Sequence, residues 1–434
     1  MRAFASCVLV GVVTVAAACS GSGESPDGGS DSSVDAPIDA TGADASDASV
    51  DVAPDVPIDN WVAPLPPYAR MPIVDYGGGR LLTSIKVVTV SFAGDDTTLV
   101  GRLQDFDDTI TSSNWWQAAT SEYCEQPSGP CIGPGTGDGH IVLNETAATS
   151  YVDHENGQNS TIVQFIQDHI TSGAFPPPDA QTIYVIYFPS GTNITLDGET
   201  SCSSFGAYHY AAKFAVDDAG TMVDGAYAIE PRCNYGESYL TFVAAHELIE
   251  AATDTDFTTG YIMQDDSWCR YGCEVGDLCD HTWSYDSMSV TTDAGAPFNV
   301  QRGWSNVSAL AGHDPCVIPP SDHPYFNTAV ESGKQTIYLS VGQSETIELD
   351  GFSDGAMNDW TISAIDESNA IFGTSQVLSF SLDKTTMNDG QTAHLTITLT
   401  AKPQLTWVPY VIDNKATINS NAYEHQWGAN VYLQ

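Results

Sequence analysis

Residues 238–254 read SYLTFVAAHELIEAATD, and the other motifs of the chain are best understood in relation to this stretch. Leu, Ala and Phe dominate it and neither Gly nor Pro interrupts it, which predicts a helix with Ser238 as its N-terminal cap. Because the stretch is apolar on nearly every side, we expect the helix to be buried. Buried carboxylates are costly unless they are paired, protonated or bound to a cation, so its ionisable side chains need partners.

Three of those side chains form a metal-binding pattern. His246 and Glu250 are four residues apart, so they lie on one face of the helix, one turn apart, and Glu247 lies beside His246. This is the His-Glu-x-x-His arrangement of a zincin helix with Glu in place of the second His. The pattern predicts His246 and Glu250 as metal ligands and Glu247 as a general base. The alternative is a core helix whose His and Glu side chains bond to nearby strands.

A catalytic zinc site needs a third protein ligand and an open position for water. Glu274 lies 28 residues after His246 and resembles the third ligand of the zincin class that uses a Glu some two dozen residues downstream. Asp277 would then accept a hydrogen bond from His246 and orient its ring. Two alternatives stay open. Asp256 lies ten residues after His246, where metzincins place their third ligand, and Asp254 lies near the end of the helix.

The N-terminus carries the features of an export signal. Arg2 precedes an apolar run over residues 8–18 that is too short to span a bilayer. Residues 16–19 read AAAC and resemble a bacterial lipobox, in which Cys19 would carry the lipid. Cleavage without lipidation stays open because Ala16 stands where Leu is usual. We therefore predict a signal peptide at residues 1–18 and an outer-membrane or cell-surface lipoprotein whose body is extracellular or periplasmic.

An acidic, low-complexity segment follows the lipobox. Residues 20–60 are rich in Ser, Gly, Asp, Ala and Pro and contain ten acidic residues and no Lys or Arg. Such a segment cannot bury enough apolar surface to fold, and its charges repel one another. Residues 19–60 are thus predicted to be a lipid anchor with a disordered tether, and the membrane is expected to be contacted through this anchor only.

The excess of negative charge is not confined to the tether. The whole chain has 13 basic and 56 acidic residues, a formal charge of −43. Without Arg2 and the ten tether acids, 12 basic and 46 acidic residues remain, a charge of −34. This charge argues against nucleic acid as a partner and against anionic lipid surfaces. It suits an exported protein and is compatible with Ca²⁺ as a structural ion.

The number of cysteines also indicates an exported protein. When Cys7 and Cys19 are set aside, eight of the ten cysteines remain, and an even number in an exported chain predicts disulfides. The alternative is a zinc site of thiolates, which an oxidising compartment disfavours and which would use Cys269, Cys273 and Cys279. We predict four disulfides, pairing Cys124 with Cys131, Cys202 with Cys233, Cys269 with Cys273 and Cys279 with Cys316.

The folded part divides near Pro319 and Pro320. Before this point, apolar and β-branched runs predict strands, and two amphipathic stretches predict helices. The predicted strands are 82–92, 182–188 and 226–230, and the predicted helices are 99–111 and 160–170. With the buried helix, they predict an α+β, zincin-like catalytic body at residues 61–320.

The C-terminal region, residues 321–434, has a different pattern. From residue 335 on it has no cysteine, and its apolar residues alternate at period two. This predicts an all-β sandwich of the immunoglobulin-like type. Trp360 and Trp407 could stack on sugar rings there, although a core position is the commoner place for Trp.

The middle of the chain also resembles a known family. Short motifs in the same order are similar to those of the Exordium (phosphate-induced protein) family, over roughly residues 74–316. They are residues 76–83 (YGGGRLLT), 114–116 (NWW), 202, 205–209 (FGAYH), 233, 251–254 (AATD), 274–279 (EVGDLC), 298–300 (FNV) and 314–316 (DPC). The resemblance implies a secreted protein, linked in plants to growth at the cell wall. This chain keeps His-Glu-x-x-Glu, as do bacterial relatives that look like metallopeptidases.

Two functions follow as hypotheses. The first is a tethered, exported zinc-dependent hydrolase, most simply a metallopeptidase that cleaves a protein or peptide. Zn²⁺ would be held by His246, Glu250 and Glu274, with Glu247 as the general base. The oxyanion would be stabilised by His209 or by a Tyr such as Tyr261. The second is a non-catalytic, Exordium-like surface protein that binds polysaccharide or a protein partner, with a structural metal or none.

Overall fold

The computed structural model describes residues 70–125, 128–154, 157–256, 259–265, 267–269, 272–280, 287–320 and 322–434. The predicted signal peptide, Cys19 and the predicted tether lie outside these ranges. All described residues belong to one compact unit. Within it, strands are many and helices are few.

Six α-helices are found in the described ranges. Where the chain has a good capping residue, the helix begins beside it: the Asp96 carboxylate accepts from the Thr98 amide, and the Ser160 hydroxyl accepts from the Val163 amide. The helices predicted at 99–111 and 160–170 are confirmed within two residues. In chain order the helices are α1 (Thr97–Thr109), α2 (Asn114–Thr120), α3 (Thr161–Thr171), α4 (Glu237–Thr253), α5 (Asn306–Ala311) and α6 (Ser368–Phe372).

The predicted buried helix is α4, and its capping differs from the prediction. Ser238 does not cap it, because the helix already begins at Glu237 with Gly236 at the N-cap and no side-chain cap. The acidic Glu237 in the first turn complements the helix dipole instead, and it accepts hydrogen bonds from the Arg102 guanidinium at 2.8 and 3.0 Å. From Tyr239 to Thr253 every residue is buried, as the sequence predicts.

Fourteen described strands precede residue 320. They are β1 (Val74–Tyr76), β2 (Lys86–Phe92), β3 (Thr136–Leu143), β4 (Ser150–Asp153), β5 (Thr182–Phe188), β6 (Asn193–Leu196), β7 (Glu199–Thr200), β8 (Tyr208–Ala215), β9 (Met222–Pro231), β10 (Tyr261–Met263), β11 (Ser287–Thr291), β12 (Pro297–Gln301), β13 (Gly303–Trp304) and β14 (Cys316–Val317).

The central sheet of this part has the strand order β3-β2-β5-β9-β8. Its neighbours are parallel except for β8, which runs antiparallel to β9. Every residue of β5 is buried, as expected for a strand covered on both faces. One apolar cluster includes residues of α3 and one face of the sheet, and another includes residues of α1 and α4 and the opposite face. Helix α4 therefore lies against the sheet, beside β8 and β9.

Nine further strands lie in the described residues after 322. They form a four-stranded sheet, β15-β17-β21-β19, and a five-stranded sheet, β16-β23-β22-β18-β20. The all-β character predicted for this region is confirmed apart from the short helix α6. The strands are β15 (Phe326–Val330), β16 (Thr336–Leu339), β17 (Ser344–Ser353), β18 (Trp360–Asp366), β19 (Leu378–Leu382), β20 (Thr386–Met387), β21 (Thr392–Leu399), β22 (Trp407–Ile418) and β23 (Asn421–Leu433).

Trp side chains lie in the core of the C-terminal region and in its contact with the residues before 320. Trp360 is buried and donates to Thr328 Oγ1 at 3.0 Å, so it is a core residue and not a platform for sugars. Trp427 of β23 packs edge-on against Trp268, with ring centroids 5.0 Å apart. The predicted boundary near residue 320 is thus crossed by apolar packing.

All four predicted disulfides are present. They join Cys124 to Cys131, Cys202 to Cys233, Cys269 to Cys273 and Cys279 to Cys316. The alternative zinc–thiolate site is therefore not formed, because all its sulfurs are used in disulfides. Four disulfides indicate a protein that is not cytoplasmic. Within the ranges given above, no helix combines the length and apolar character needed to cross a membrane.

Candidate metal centre

Helix α4 brings three ionisable side chains into the interior of the unit. His246, Glu247 and Glu250 are each 0% exposed. Helical spacing places His246 and Glu250 on one face, and His246 Nε2 lies 3.1 Å from Glu250 Oε2. In the described part of the chain, Glu247 and Glu250 form ion pairs with histidines and not with Lys or Arg. The centre is therefore acidic and shielded from water.

The ring of His246 is oriented by Gln301, the last residue of β12. The Gln301 amide nitrogen donates to the Gly276 carbonyl at 2.6 Å, which turns the Gln301 carbonyl oxygen towards His246. That oxygen lies 2.9 Å from His246 Nδ1. Because an amide oxygen only accepts hydrogen bonds, His246 Nδ1 carries a hydrogen. In the neutral imidazole the lone pair is then on Nε2.

This tautomer places two electron-rich atoms next to each other. His246 Nε2 and Glu250 Oε2 are both buried, and neither has a hydrogen-bond partner among the described residues. Two lone pairs at 3.1 Å repel each other in a low-dielectric interior unless a proton or a metal ion lies between them. The separation is close to the roughly 3.3 Å between two ligand atoms of a tetrahedral zinc site with bonds of about 2.0–2.1 Å. The residues present therefore fit a divalent cation.

Asp277 completes this side of the centre. It begins a short 3₁₀ turn, Asp277–Cys279, and its backbone amide donates to Glu250 Oε1 at 3.0 Å. Its Oδ1 lies 3.8 Å from His246 Nε2. Together His246, Glu250 and Asp277 offer three ligand atoms that all lie within 4.8 Å of one another. Asp277, which the sequence predicted to orient His246, thus lies near the candidate ligand atom Nε2. Gln301, which contacts Nδ1, orients the ring instead.

Two glycines allow the loop to approach the helix so closely. A Cβ at Gly276 would lie 2.8 Å from both Glu250 Oε1 and His246 Nδ1, and one at Gly272 would lie 1.8 Å from Asp277 Oδ2. Any other residue at Gly276 would push the loop away from the helix, and any other residue at Gly272 would displace the Asp277 carboxylate. The close packing of the loop leaves Asp277 only 3% exposed.

His209 of β8 contacts the part of the centre that contains Glu247. Its Nε2 lies 3.2 Å from the Asp254 carbonyl oxygen and its Nδ1 lies 3.2 Å from Glu247 Oε2. The carbonyl can only accept, so Nε2 carries a hydrogen and donates to it. Burial lowers the pKa of His209, but the hydrogen bond to Glu247 and the charges of Glu247 and Glu250 outweigh it and raise the pKa. The charged ring also donates from Nδ1 and holds Glu247 by one carboxylate oxygen, Oε2. The other oxygen, Oε1, has no hydrogen-bond partner among the described residues.

Glu274 lies nearer to His209 than to His246. Its Oε1 is 3.7 Å from His209 Nε2, and it belongs to neither of the two sets of three ligands that the described residues form. Those sets are His246, Glu250 and Asp277, and His209, Glu247 and Glu250. Glu250 is common to both sets and lies at the middle of the cluster. The structure thus brings Glu274 into the cluster but places Asp277 closer to the predicted ligand pair.

The two remaining alternatives for the third ligand lie elsewhere. Asp254 Oδ1 accepts from the backbone amides of Thr259 and Gly260, at 3.1 and 2.7 Å, and ties down the chain after α4. Burial raises the pKa of Asp254 to about 6. Asp256 is 45% exposed and lies 3.5 Å from the Arg80 guanidinium. Neither is part of a three-ligand set in the described chain.

Electrostatics favour a cation at the centre. Burial lowers the pKa of His246, but the Glu250 carboxylate 3.1 Å away, with the charges of Glu247 and Asp277, outweighs it, so the pKa is raised well above its usual value. Burial, and then the charge of Glu250, raises the pKa of Asp277 well above its usual value. Without a metal the cluster therefore retains protons. A metal ion must displace them, so its affinity is expected to rise with pH.

Gln301 is the functional residue that sequence reasoning missed. It ends the motif FNVQ, in which Phe298 and Val300 are also buried, so the alternation of β12 does not mark Gln301 as an inward-facing residue. Its role depends on the long-range approach of β12 to α4, which no local pattern reveals. A polar side chain at the end of a strand with two buried apolar residues, followed by Arg302, is the signal that the sequence offers.

We expect Gln301→Leu to weaken zinc binding by about 10- to 100-fold, because it leaves His246 Nδ1 without the acceptor that fixes the ring. Competition with a chromophoric chelator measures the affinity. Asn299→Leu, on the same strand, is the matched control, since Asn299 donates only to the Ser238 carbonyl. Equal zinc affinities for the two variants would show that Gln301 does not position the ligand.

Comparisons with known proteins identify no family. No family model matches the chain, and no curated protein does either. Solved structures with some similarity include a Bacteroides ovatus GH5 xyloglucanase in complex with a XXXG heptasaccharide, the Vibrio cholerae VesB protease and a swine CD8aa homodimer. Their identities are 16%, 11% and 13%, over 25%, 26% and 25% of this chain and 19%, 32% and 97% of theirs.

The TM-scores of these three similarities are 0.16, 0.17 and 0.16. At such values no likeness of fold carries an argument about function. The resemblance to the Exordium family is likewise a prediction from the sequence motifs. Function must therefore be argued from the centre itself.

Proposed function

We propose that this chain is an exported, metal-dependent hydrolase, a peptidase, whose buried centre binds one Zn²⁺ ion. His246, Glu250 and Asp277 would hold the ion, and Glu247 would be the general base. One observation carries the proposal: the hydrogen bonds of Gln301 leave the lone pair of His246 Nε2 facing Glu250 Oε2 at 3.1 Å. A buried pair of this kind needs a proton or a metal ion between its atoms, and we propose that Zn²⁺ takes this position.

When bound, Zn²⁺ would supply Lewis-acid polarisation of a scissile carbonyl and of water. The other part of the chemistry belongs to side chains of this chain. Glu247 would take a proton from the attacking water at Oε1 and pass it to the leaving amine. His209 would keep Glu247 in place through Oε2, so we assign it a positioning role, whereas the sequence suggested an oxyanion-stabilising one.

The ligand set predicts weak or alkaline catalysis. Two carboxylates and a neutral His cancel the charge of Zn²⁺, whereas two His and one Glu leave a net charge of +1. Water at the site should therefore be less acidic than in a His-Glu-x-x-His enzyme, and activity should be highest at higher pH. Oxygen-rich ligation also suits Ca²⁺ or Mn²⁺ better than a site rich in His.

The proposed function also implies a fold for each region and a location for the protein. We propose that the central sheet with α4 forms a zincin-like catalytic body and that residues 321–434 form an immunoglobulin-like sandwich. We further propose that lipidated Cys19 anchors the protein to the outer membrane or cell surface. Protein or peptide substrates would then be met outside the cytoplasm, in keeping with the four disulfides.

A second function is favoured by one specific observation, the burial of the centre. Glu274 is 1% exposed and His209 is 2% exposed, so a polypeptide cannot reach the ligands without movement of the surrounding chain. A closed site with no open position is typical of structural metal ions. In this alternative the ion, Zn²⁺ or Ca²⁺, stabilises a non-catalytic, Exordium-like surface protein.

Metal analysis of the purified mature protein tests the proposed centre. We expect one zinc ion per chain, removable by a strong chelator. Asp277→Asn should lose the ion because it removes a ligand, whereas Glu274→Gln should retain it. The reverse result would restore Glu274 as the third ligand, as the sequence predicted. A wild-type protein that binds no divalent cation at any pH between about 6 and 9 would overturn the proposal.

A further inference from the structure

A row of aromatic side chains crosses the five-stranded sheet of the C-terminal region. Tyr338 on β16 is directly opposite Tyr432 on β23, and Tyr432 is directly opposite Trp407 on β22. Residues paired in register lie on the same face of a sheet. The ring centroids of Tyr338 and Tyr432 are 5.7 Å apart, and those of Tyr432 and Trp407 are 6.4 Å apart. We call these three residues the aromatic row.

The aromatic row faces away from the core. Its neighbours along the three strands point inward: Ile337 and Val431 are buried, as is Val408. Tyr338, by contrast, is 58% exposed. The planes of Tyr432 and Trp407 are only 22° apart, so the two rings are nearly parallel. Such a surface is unusual, because the other Trp and Tyr side chains of the described residues are mostly buried.

A polar cleft adjoins the aromatic row. It has a volume of about 570 Å³ and is lined by Tyr338 and Tyr432 together with Asp75, Gln264, Asp265 and Thr336. The carboxylates and the amide oxygen accept hydrogen bonds, and the hydroxyl both donates and accepts. Asp265 Oδ1 is held in place by the Ser267 amide and hydroxyl, at 3.1 and 2.6 Å. The cleft thus combines flat apolar faces with fixed hydrogen-bond acceptors.

We propose that the aromatic row and the adjoining cleft bind a neutral polysaccharide. A pyranose ring has an apolar face of C–H groups, which suits a flat aromatic surface, and a rim of hydroxyl groups, which suits carboxylate acceptors. Among the described residues that line the cleft, none is Lys or Arg and two are acidic. Uronic acids and other anionic chains are therefore repelled. This binding site is separate from the metal centre and does not depend on it.

Binding is tested with the full mature chain by native affinity electrophoresis in hydroxyethyl cellulose, xylan and galactomannan. Titration calorimetry with cellohexaose, xylohexaose and mannohexaose gives the affinities. We expect at least one of these neutral glycans to be bound and polygalacturonate not to be bound. Because the metal centre is not involved, a chelator should leave the affinity unchanged.

The aromatic row is tested by substitution of its exposed member. Tyr338→Ala should weaken binding about three- to tenfold, the usual effect of removing one stacked ring. Tyr338→Phe keeps the ring and should bind within about twofold of the wild type. Tyr235→Ala removes an exposed Tyr elsewhere in the chain and is the matched control. An unchanged melting temperature shows that each variant is folded, as expected at an exposed position.

Two results would overturn the inference. One is a wild-type protein that binds none of the six neutral glycans. The other is a Tyr338→Ala protein that binds as tightly as the Tyr235→Ala control, since the glycan would then lie elsewhere. Binding of an unfolded peptide at Tyr338, in place of glycan, would likewise reject the polysaccharide assignment, because β16 is an edge strand to which a peptide could add.

Discussion

Glu247→Gln is expected to leave the metal content of the protein unchanged and to lower the rate of hydrolysis by roughly 10²–10⁴-fold, the usual contribution of a positioned general base. Glutamine has nearly the same shape as glutamate, and its amide oxygen can still accept from His209 at the position of Glu247 Oε2. It cannot take up a proton at the position of Oε1. The proposed ligands His246, Glu250 and Asp277 are untouched, so zinc binding should not change.

The measurement needs an active wild type. Zinc-loaded protein is assayed on an unfolded protein such as casein, and a chelator must stop the cleavage. Glu237→Gln, on the exposed first turn of the same helix, is the control for effects of substitution on α4. If Glu247→Gln cleaves as fast as this control, Glu247 is not the base. If zinc-loaded wild type cleaves no peptide or ester in a broad screen, the peptidase proposal fails and the structural-ion alternative replaces it.

Glu250→Ala is expected to abolish stoichiometric zinc binding. Glu250 belongs to both sets of three ligands, and its Oε2 lies 3.1 Å from His246 Nε2 and 3.8 Å from His209 Nδ1. The substitution also removes the acceptor of the Asp277 amide, so the loop that carries Asp277 loses its direct bond to α4. Loss of this buried hydrogen bond to a charged group should cost about 1.5–3 kcal/mol of folding free energy.

Thermal unfolding with and without zinc separates these effects. A ligand that binds only the folded state adds about 4 kcal/mol at a concentration 1,000 times its dissociation constant, so zinc should raise the Tm of the wild type by several degrees. Glu250→Ala should melt at the same temperature with and without zinc, and below the zinc-free wild type. A zinc-dependent rise in its Tm equal to that of the Glu237→Gln control would show that Glu250 is not a ligand.

Together, the two substitutions distinguish the two functions. A hydrolase should lose activity in both variants but metal in Glu250→Ala alone. A protein with a structural ion should respond only to Glu250→Ala, through its stability. The glycan-binding proposal is independent of both outcomes, because the aromatic row lies on the C-terminal sheet and its test does not involve zinc.

Local sequence determined the elements that carry the centre. The uninterrupted apolar run around His246 fixed both the existence and the burial of α4, because helix propensity and the lack of a polar face act within the stretch itself. The i, i+4 spacing placed His246 and Glu250 together for the same reason, since it depends only on helix geometry. The even number of cysteines predicted four disulfides, and the predicted pairing was confirmed.

Tertiary structure decided what surrounds that helix. Whether Glu274 or Asp277 approaches His246 depends on how the loop after β10 packs, and the absence of side chains at Gly272 and Gly276 lets Asp277 come close. The role of Gln301 depends on a strand that lies 55 residues further along the chain from His246. Contacts of this range are set by packing of the whole unit, which residue spacing does not encode.

The same division holds for the aromatic side chains of the C-terminal region. Sequence alternation predicted a strand at Trp360 and an all-β region around Trp407. It left open which of the two faces outward, because a one-residue change of register exchanges the two faces of a strand. Only the observed pairing shows Trp360 in the core and Trp407 in a surface row with Tyr432 and Tyr338. Local sequence thus determined the helix and the spacing of its candidate ligands, whereas strand register and loop packing decided which side chains meet.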